Sequence, residues 1–295
     1  MNIRLSVGSA VRLGLKKMKV DCLPDIIYMM TPGLCRARCL FCSQWVYEDR
    51  LSRVHWPEYD VEDVISRITK ERICIQCLNY EGVFTDLLDI VDLFKGTPIS
   101  VSAQPFSEKE ILQLKKRIDR ISVNLDCATR ELFVKIKPFY TWENHVSHLL
   151  YSRSIFGPFR ASSHVMVGLG ETEEELVSLL EFLYSHQISS SLFAFTPVKG
   201  TPLEKREKPS ITYYRRMQVA HYLIYAGKED FTFRKGVITD LDTDVPPEAF
   251  MTRGCPGCNR PYYTATPRHL YNFPYIPDTH EIDVIKEQLK SDRPS

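Results

Sequence analysis

The sequence lacks a long apolar run, an excess of charge, internal repeats and low-complexity tracts. No stretch approaches the ~20 apolar residues that a membrane-spanning helix needs. The 38 basic and 37 acidic residues leave a formal charge of +1, which argues against a nucleic-acid or membrane partner because both usually require a basic surface. Arg4 and Arg12 interrupt the apolar N-terminus, which predicts a short amphipathic helix rather than a signal peptide. We therefore expect a cytoplasmic protein.

The chain also lacks an even number of cysteines. It has nine, which cannot all pair, and the cytoplasm keeps thiols reduced. A disulfide framework is therefore not expected. Metal binding or catalysis explains this number of cysteines better.

Short apolar segments alternate with helical patterns along most of the 295 residues. The predicted strands cover 25–30, 72–77, 98–102, 120–126, 160–170 and 190–197, and the predicted helices cover 61–69, 86–94, 108–117, 130–135, 143–156, 172–186 and 213–225. Ser107 and Thr172 precede glutamates and are predicted N-caps. The alternation predicts an α/β fold with a parallel sheet, either open and doubly wound or a partial barrel. Residues 1–24 would lead in with a helix, 25–226 would form the sheet and its helices, and 227–295 an irregular C-terminal extension.

Three cysteines lie close together directly after the first predicted strand. The segment GLCRARCLFC contains Cys35, Cys39 and Cys42. Three thiolates on one loop can bind three irons of a [4Fe–4S] cube and leave the fourth iron without a protein ligand. A zinc knuckle is the alternative, but it would need a fourth ligand nearby, and His55 lies thirteen residues further on.

A second cysteine pair, Cys255 and Cys258, lies in the C-terminal segment TRGCPGCNRPYY. Two thiols at this spacing can bind one metal centre, so the pair could hold an auxiliary iron–sulfur cluster or a structural zinc, or it could be inert. The remaining candidate ligands are His269, Cys22, Cys74, Cys77 and Cys127. Arg253 and Arg260 flank the pair, and an arginine near a cluster could raise its potential or ligate it.

The spacing Cys-x3-Cys-x-aromatic-Cys after the first strand resembles the radical S-adenosylmethionine (SAM) superfamily. The resemblance implies a partial (β/α)6 barrel, a [4Fe–4S] cluster on Cys35, Cys39 and Cys42, and SAM chelated to the open iron. One electron then cleaves SAM to a 5′-deoxyadenosyl radical, which abstracts hydrogen from unactivated C–H bonds.

The resemblance also assigns residues to SAM, in chain order along the barrel. Phe41 occupies the aromatic position near the adenine. Asn79 and Glu81 follow the second strand, where the family recognises the SAM amino group, although the turn here departs from the usual Gly-Gly-Glu. The other implied SAM contacts are Asn124 and Asp126 for the ribose, and Gly168, Gly170 and Val198 for the adenine. A strand-end turn is the alternative explanation of Asn124 and Asp126, because both residue types favour turns.

Within the superfamily, VNLD, VGLGET and VKGTPL resemble the biotin-synthase-like branch. Biotin synthase itself takes cluster cysteines from strands where this chain has the serines of PISVS and RASSH. Residues 72–84, 193–201 and 254–263 are more similar to the subunits of the archaeal-type, two-protein lipoyl synthase. That resemblance implies an auxiliary cluster on Cys255 and Cys258, with Cys77 as a third ligand. Cys74 would then face the opposite side of its strand and belong to the core.

The implied reaction is sulfur insertion at C6 or C8 of an octanoyl chain that is linked to a lysine of a lipoyl domain or H-protein. The implied partners are a paralogous radical SAM subunit and an electron donor such as ferredoxin or flavodoxin. Two alternatives stay open. One is another radical SAM reaction, biotin-synthase-like or in metallocofactor maturation. The other is a non-catalytic iron–sulfur or zinc-binding assembly factor.

Overall fold

The computed structural model describes residues 2–228 and 230–290. Its strands are β1 (Asn2–Leu5), β2 (Ile27–Met30), β3 (Arg50–Leu51), β4 (Val54–His55), β5 (Glu58–Asp60), β6 (Ile73–Gln76), β7 (Ile99–Ala103), β8 (Arg120–Val123), β9 (Ala161–Val167), β10 (Ser189–Ala194), β11 (Phe233–Arg234) and β12 (Val237–Ile238). Its α-helices are α1 (Val7–Arg12), α2 (Val61–Ile65), α3 (Val83–Leu93), α4 (Glu108–Lys115), α5 (Arg130–Ile136), α6 (Trp142–Phe156), α7 (Glu173–Ser185), α8 (Ile211–Tyr225) and α9 (Thr279–Lys290).

Eight of these strands form one open sheet in the order β10-β9-β8-β7-β6-β2-β1-β5. Six of them pair in parallel and lie side by side in chain order: β2, β6, β7, β8, β9 and β10. Right-handed crossovers between strands in chain order place their helices on one face of the sheet, as in a barrel. The expected α/β partial barrel is confirmed, and the sheet is not closed.

The predicted elements agree with the structure to within a few residues. All six predicted strands and all seven predicted helices are present. Ser107 and Thr172 are the N-caps of α4 and α7, and each forms a reciprocal capping box with a glutamate three residues later. Such a box satisfies backbone N–H groups that the first helical turn leaves unpaired.

The N-terminal segment contains a strand as well as the helix that its sequence predicts. Residues 2–5 form β1, which pairs antiparallel with β2 and β5, and the expected helix is short and follows it as α1. Ile3 and Leu5 are fully buried, and Arg4 donates from Nε to Glu58 across the strand pair at 3.2 Å. The alternation of apolar and polar residues in this segment therefore has the period of a strand.

The two faces of the sheet have different partners. On β6, Ile73 and Ile75 belong to the large apolar core with the helices, whereas Cys74 belongs to a smaller cluster on the inner face with Tyr28 and Tyr263. From the C-terminal extension, Tyr263 belongs to this inner-face cluster, and Cys255 and Cys258 pack against it. No helix in the described part of the chain is long and apolar enough to cross a membrane.

Candidate active site and metal-binding cysteines

Backbone hydrogen bonds attach the loop that carries the first three cysteines to the turn after β6 and to the end of helix α5. The N–H of Arg36 donates to the carbonyl of Asn79 at 2.7 Å, and the N–H of Leu40 donates to the carbonyl of Ile136 at 2.9 Å. The N–H of Cys42 donates to the carbonyl of Cys39 at 2.9 Å. These bonds turn a flexible ten-residue segment into a defined loop at one end of the barrel.

Gly33 begins this loop at a point where only a glycine fits. A Cβ atom at Gly33 would lie 2.4 Å from ring carbons of Tyr80. The Tyr80 ring is itself held, because its hydroxyl donates to Asp86 at 2.6 Å. The close approach of backbone and ring thus fixes where the loop leaves β2.

A cavity of about 230 Å³ lies beside the loop on the inner face of the sheet, close to the lower end of the roughly 300–1,000 Å³ typical of ligand sites. The residues of the sequence prediction that line it are Cys35, Cys39, Phe41, Cys42, Cys77, Asn79, Asn124 and Asp126. The structure therefore brings together, from the ends of β6 and β8 and from the loop, most of the residues that the resemblance assigns to the cluster and to SAM.

Four predicted SAM contacts do not line this cavity: Glu81, Gly168, Gly170 and Val198. Glu81 is exposed and lies 3.7 Å from Arg36. Gly168 and Gly170 both have positive φ angles, and the N–H of Gly168 donates to the Glu171 carboxylate at 2.6 Å. In this structure the two glycines shape the turn between β9 and α7.

A buried ion pair lies next to the cysteine loop. The Lys137 ammonium donates to Asp126 Oδ2 at 2.8 Å and to the carbonyl of Asn124 at 2.6 Å. The side chains of Lys137 and Asp126 are 5% and 13% exposed. Asn124 is oriented in turn, because its Nδ2 donates to Ser102 at 2.9 Å. The polar groups at the end of β8 are thus held in place before any ligand binds.

The three cysteines of the loop are half-buried. Burial raises the pKa of Cys39 to about 12, although nearby Lys137 acts in the opposite direction. Burial also raises the pKa of Cys42. Metal ligation requires the thiolate, so binding a metal here releases protons.

The second cysteine group lies deeper on the same inner face. Cys74 of β6, Cys255 and Cys258 line one small cleft, together with Arg260. Arg260 Nη2 lies 3.9 Å from Cys74 Sγ, and the Tyr28 hydroxyl lies 3.4 Å from Cys258 Sγ.

Cys77 has a different environment from Cys74. It follows β6, lines the first cavity and packs against the large apolar core, and burial raises its pKa. Cys74 and Cys77 thus pack against different apolar clusters. Cys74 lines the deeper cleft with Cys255 and Cys258, whereas the sequence prediction named Cys77 as the third ligand.

Neither thiol group converges on a single point. In residues 2–228 and 230–290, no three Cys, His, Asp or Glu side chains are arranged where one ion could bind all of them. A mononuclear zinc site gathers its ligands about 2.0–2.3 Å from one ion, whereas an iron–sulfur core distributes its thiolates over several irons. The described residues therefore hold no preformed site for a single zinc ion.

Lys137, His164 and Arg260 line the first cavity and were not assigned to it from the sequence. His164 and Arg260 line the deeper cleft as well. Burial lowers the pKa of His164 well below its usual value, which keeps the imidazole neutral. The alternation of RASSHVM could have placed His164 on the inner face, but Lys137 lies in a helix-to-loop segment with no such signal.

Comparison with known proteins agrees with this site. Residues 29–183, just over half of the chain, match the sequence profile described as "Radical SAM superfamily". No curated protein is significantly similar in sequence.

Two solved structures are similar to this chain. HydG, a maturase of the [FeFe]-hydrogenase, is similar over 67% of this chain and 49% of its own, with 12% identity and a TM-score of 0.54. A radical SAM methyltransferase from Sphaerobacter thermophilus matches over 68% of this chain and 65% of its own, with 15% identity and a TM-score of 0.49. The chain thus spans about half the length of HydG, and that likeness concerns the fold. The profile match, which covers the cysteine loop, shows that this protein belongs to the radical SAM superfamily.

Proposed function

We propose that the protein is a sulfur-inserting radical SAM enzyme, a component of a two-protein lipoyl synthase that adds sulfur to C6 or C8 of an octanoyl-lysine. One observation carries the proposal. Two groups of cysteines open on the same barrel interior, and His164 and Arg260 line both the first cavity and the deeper cleft. A substrate in the first cavity would therefore lie between two metal centres.

The residues of the first cavity fit the cofactors that the family uses, a [4Fe–4S] cluster and SAM. Cys35, Cys39 and Cys42 supply three thiolates, the number that leaves one iron open. Gln104 Oε1 and Tyr263 Oη line the cavity and are buried without hydrogen-bond partners among the described residues, so a polar ligand would satisfy them. When bound, the cluster and SAM supply a radical that removes hydrogen from a C–H bond.

The chain's own residues orient these groups. Asn79 follows the end of β6. Its side-chain Nδ2 donates to the Tyr140 hydroxyl at 2.8 Å, which leaves the side-chain Oδ1 available to an amino group. Asp126, held by Lys137, offers a second oxygen to a hydroxyl ligand. Phe41 packs with the cluster of Phe133 and Phe195 and presents an apolar surface to an adenine.

The substrate class follows from the rest of the lining. Leu78, Met166 and Phe193 give the cavity an apolar side, as an acyl chain requires. Each insertion would replace one C–H bond by one C–S bond. The hydrogen would leave in 5′-deoxyadenosine, and a second centre, which Cys255 and Cys258 would help to hold, would supply the sulfide and take up the one electron that remains when the C–S bond forms.

The test is an anaerobic assay of the reconstituted protein with SAM, a reductant and an octanoyl-lysyl peptide from a lipoyl domain. We expect 5′-deoxyadenosine together with a peptide that has gained sulfur. The variant Cys255→Ala/Cys258→Ala should still cleave SAM but insert no sulfur, and Cys35→Ala should do neither.

The paralogous subunit is added in a parallel reaction, because each subunit of such a pair would act at one carbon. SAM cleavage without sulfur in the peptide under both conditions would contradict the proposed substrate and favour another radical SAM reaction. Absence of SAM cleavage in a protein that holds its iron would contradict the enzymatic assignment and favour an assembly factor.

A further inference from the structure

A second, larger depression lies next to the first cavity. Segment 264–273, the start of α8 and one side of α9 form a groove of about 650 Å³. We call it the basic groove and define it by Arg53, Lys208, Arg215, Thr264, Arg268 and Val284. Thr264 lines the first cavity as well, so the two spaces share a wall.

That wall is made of two segments that are joined to each other. Ser52 lines the first cavity, and Arg53, the next residue, lines the basic groove. Ser52 Oγ donates to the carbonyl of Tyr263 at 2.8 Å, which attaches the turn between β3 and β4 to the segment that carries Thr264. A molecule bound in the basic groove would therefore lie beside the cavity in which the chemistry is proposed to occur.

The exposed charges of the groove are positive and are not neutralised within the fold. Arg53, Lys208 and Arg268 are exposed, and none of the three pairs with a carboxylate of a described residue. Among the described residues that line the groove, Glu281 is the one carboxylate, and it accepts from the Tyr275 hydroxyl at 2.9 Å and from the N–H of Asp278 at 3.0 Å. The chain as a whole carries 38 basic and 37 acidic residues, so this excess of positive charge is local.

Arg215 adds a buried positive charge at the base of the groove. It is 1% exposed, and its guanidinium donates to the carbonyl of Leu270 at 2.7 Å and to Gln288 Oε1 at 2.9 Å. Its other printed acceptors, the carbonyl of Tyr271 and Gln218 Oε1, are neutral as well. These bonds hold segment 270–271 and α9 against α8, so the groove is fixed in shape and its base remains positive.

The groove also has an apolar part. Ile211, Phe273 and Val284 line it, and Val284 is 44% exposed. An apolar centre with a polar rim in which arginine is frequent is typical of protein–protein interfaces. Charge complementarity requires the opposite surface to be acidic.

We propose that the basic groove binds an acidic face of the folded carrier domain that bears the octanoyl-lysine, and that the modified lysine enters the first cavity beside Thr264. The proposal rests on the proposed function for the identity of the carrier. A substrate that is attached to a protein must be presented by that protein next to the cavity, and the groove lies there. Positive charge at this position would speed the encounter with the carrier and orient it.

The test measures binding of a fluorescently labelled, octanoylated lipoyl domain to the anaerobically reconstituted protein by fluorescence anisotropy. Arg53→Gln/Lys208→Gln/Arg268→Gln should weaken binding about tenfold, because three exposed charge pairs are lost. The affinity of the wild type should fall when the salt concentration is raised from about 0.05 to about 0.5 M.

The matched control removes the same charge elsewhere on the surface. Lys95, Lys109 and Lys116 are exposed residues of α4 and of the ends of α3 and α4. Lys95→Gln/Lys109→Gln/Lys116→Gln should bind the lipoyl domain as tightly as the wild type. Circular dichroism of both triple variants establishes that they fold.

Three outcomes would overturn the proposal: equal affinities of the groove variant and the control variant, an affinity of the wild type that does not depend on salt, or a labelled RNA oligonucleotide that binds the groove residues more tightly than the lipoyl domain does. The proposed function fails differently. A lipoyl domain that binds at the groove but gains no sulfur would retain the docking surface and reject sulfur insertion. An octanoyl-lysyl peptide that gains sulfur, with a lipoyl domain that ignores the groove substitutions, would do the reverse.

Discussion

The buried pair of Lys137 and Asp126 allows a quantitative test of how the site is held. Replacing Lys137 by Met removes the ammonium and leaves the Asp126 carboxylate, 13% exposed, without its cation. Breaking a buried pair in this way typically costs about 3–5 kcal/mol, and the methionine keeps most of the packing on Phe133 and Tyr140, over whose rings the ammonium lies at 5.0 and 5.4 Å. Since total stabilities are about 5–15 kcal/mol, the loss should be a large fraction of the whole.

The assay is urea denaturation of the iron-free protein under reducing conditions. Lys137→Met should shift the unfolding midpoint strongly downward, and Lys137→Met/Asp126→Leu should recover most of the loss, because it removes both charges. Lys290→Met is the matched control: its ammonium pairs with Glu287 at 2.8 Å, but the two side chains are 65% and 73% exposed, so little change is expected. A free energy of unfolding of Lys137→Met within about 1 kcal/mol of the wild-type value would contradict the predicted cost of breaking the pair. So would a double variant that is no more stable than Lys137→Met.

Three further predictions concern other parts of the fold. Gly33→Ala should lower the free energy of unfolding by about 1–3 kcal/mol and reduce the iron content after reconstitution, because the new Cβ would collide with the Tyr80 ring. An unchanged iron content would contradict this close contact. Glu173→Gln should destabilise the protein by about 2–3 kcal/mol and speed proteolysis near 233–238, because Glu173 binds both Arg216 and the N–H of Ile238; unaltered digestion would argue against this anchor. Burial lowers the pKa of His221 well below its usual value. Below pH ~6.5 the unfolded state therefore binds a proton at this residue that the folded state does not. His221 then lowers the free energy of unfolding by about 1.4 kcal/mol for each unit by which the pH falls. His221→Gln should reduce that slope by one proton in urea titrations from pH 7.5 to 5.5, and an identical slope would show that His221 is protonated in the fold.

Much of the fold was predictable because its signals are local. Ser107 and Thr172 cap helices through contacts within four residues, and the buried strands are short apolar runs. The N-terminal strand β1 was missed because its alternation of apolar and polar residues extends over only four residues, too few to distinguish a strand from a helix. Its pairing with β2 and β5 decides its conformation.

The candidate site was predictable only in part. Cys35, Cys39 and Cys42 share one loop, so their spacing alone indicates a metal site, and Asn124 and Asp126 follow a strand end that faces the same edge. Glu81 looked equivalent, but its side chain points to solvent and pairs with Arg36. A strand-end position identifies the edge of the sheet, not the direction of each side chain in the turn beyond it.

By itself, the sequence determined the order of strands and helices, the parallel sheet that follows from it, and the cysteine loop that identifies the family; that the strands stand in chain order, as in a barrel, was established by the structure. Period-two alternation also separated Cys74 from Cys77, since successive side chains of a strand point to opposite faces. Which of those faces meets Cys255 and Cys258 was decided by the tertiary structure alone. Arg260 contacts Cys74 across 186 residues, and a contact of that range depends on how the C-terminal extension packs over the barrel, for which neighbouring residues carry no signal.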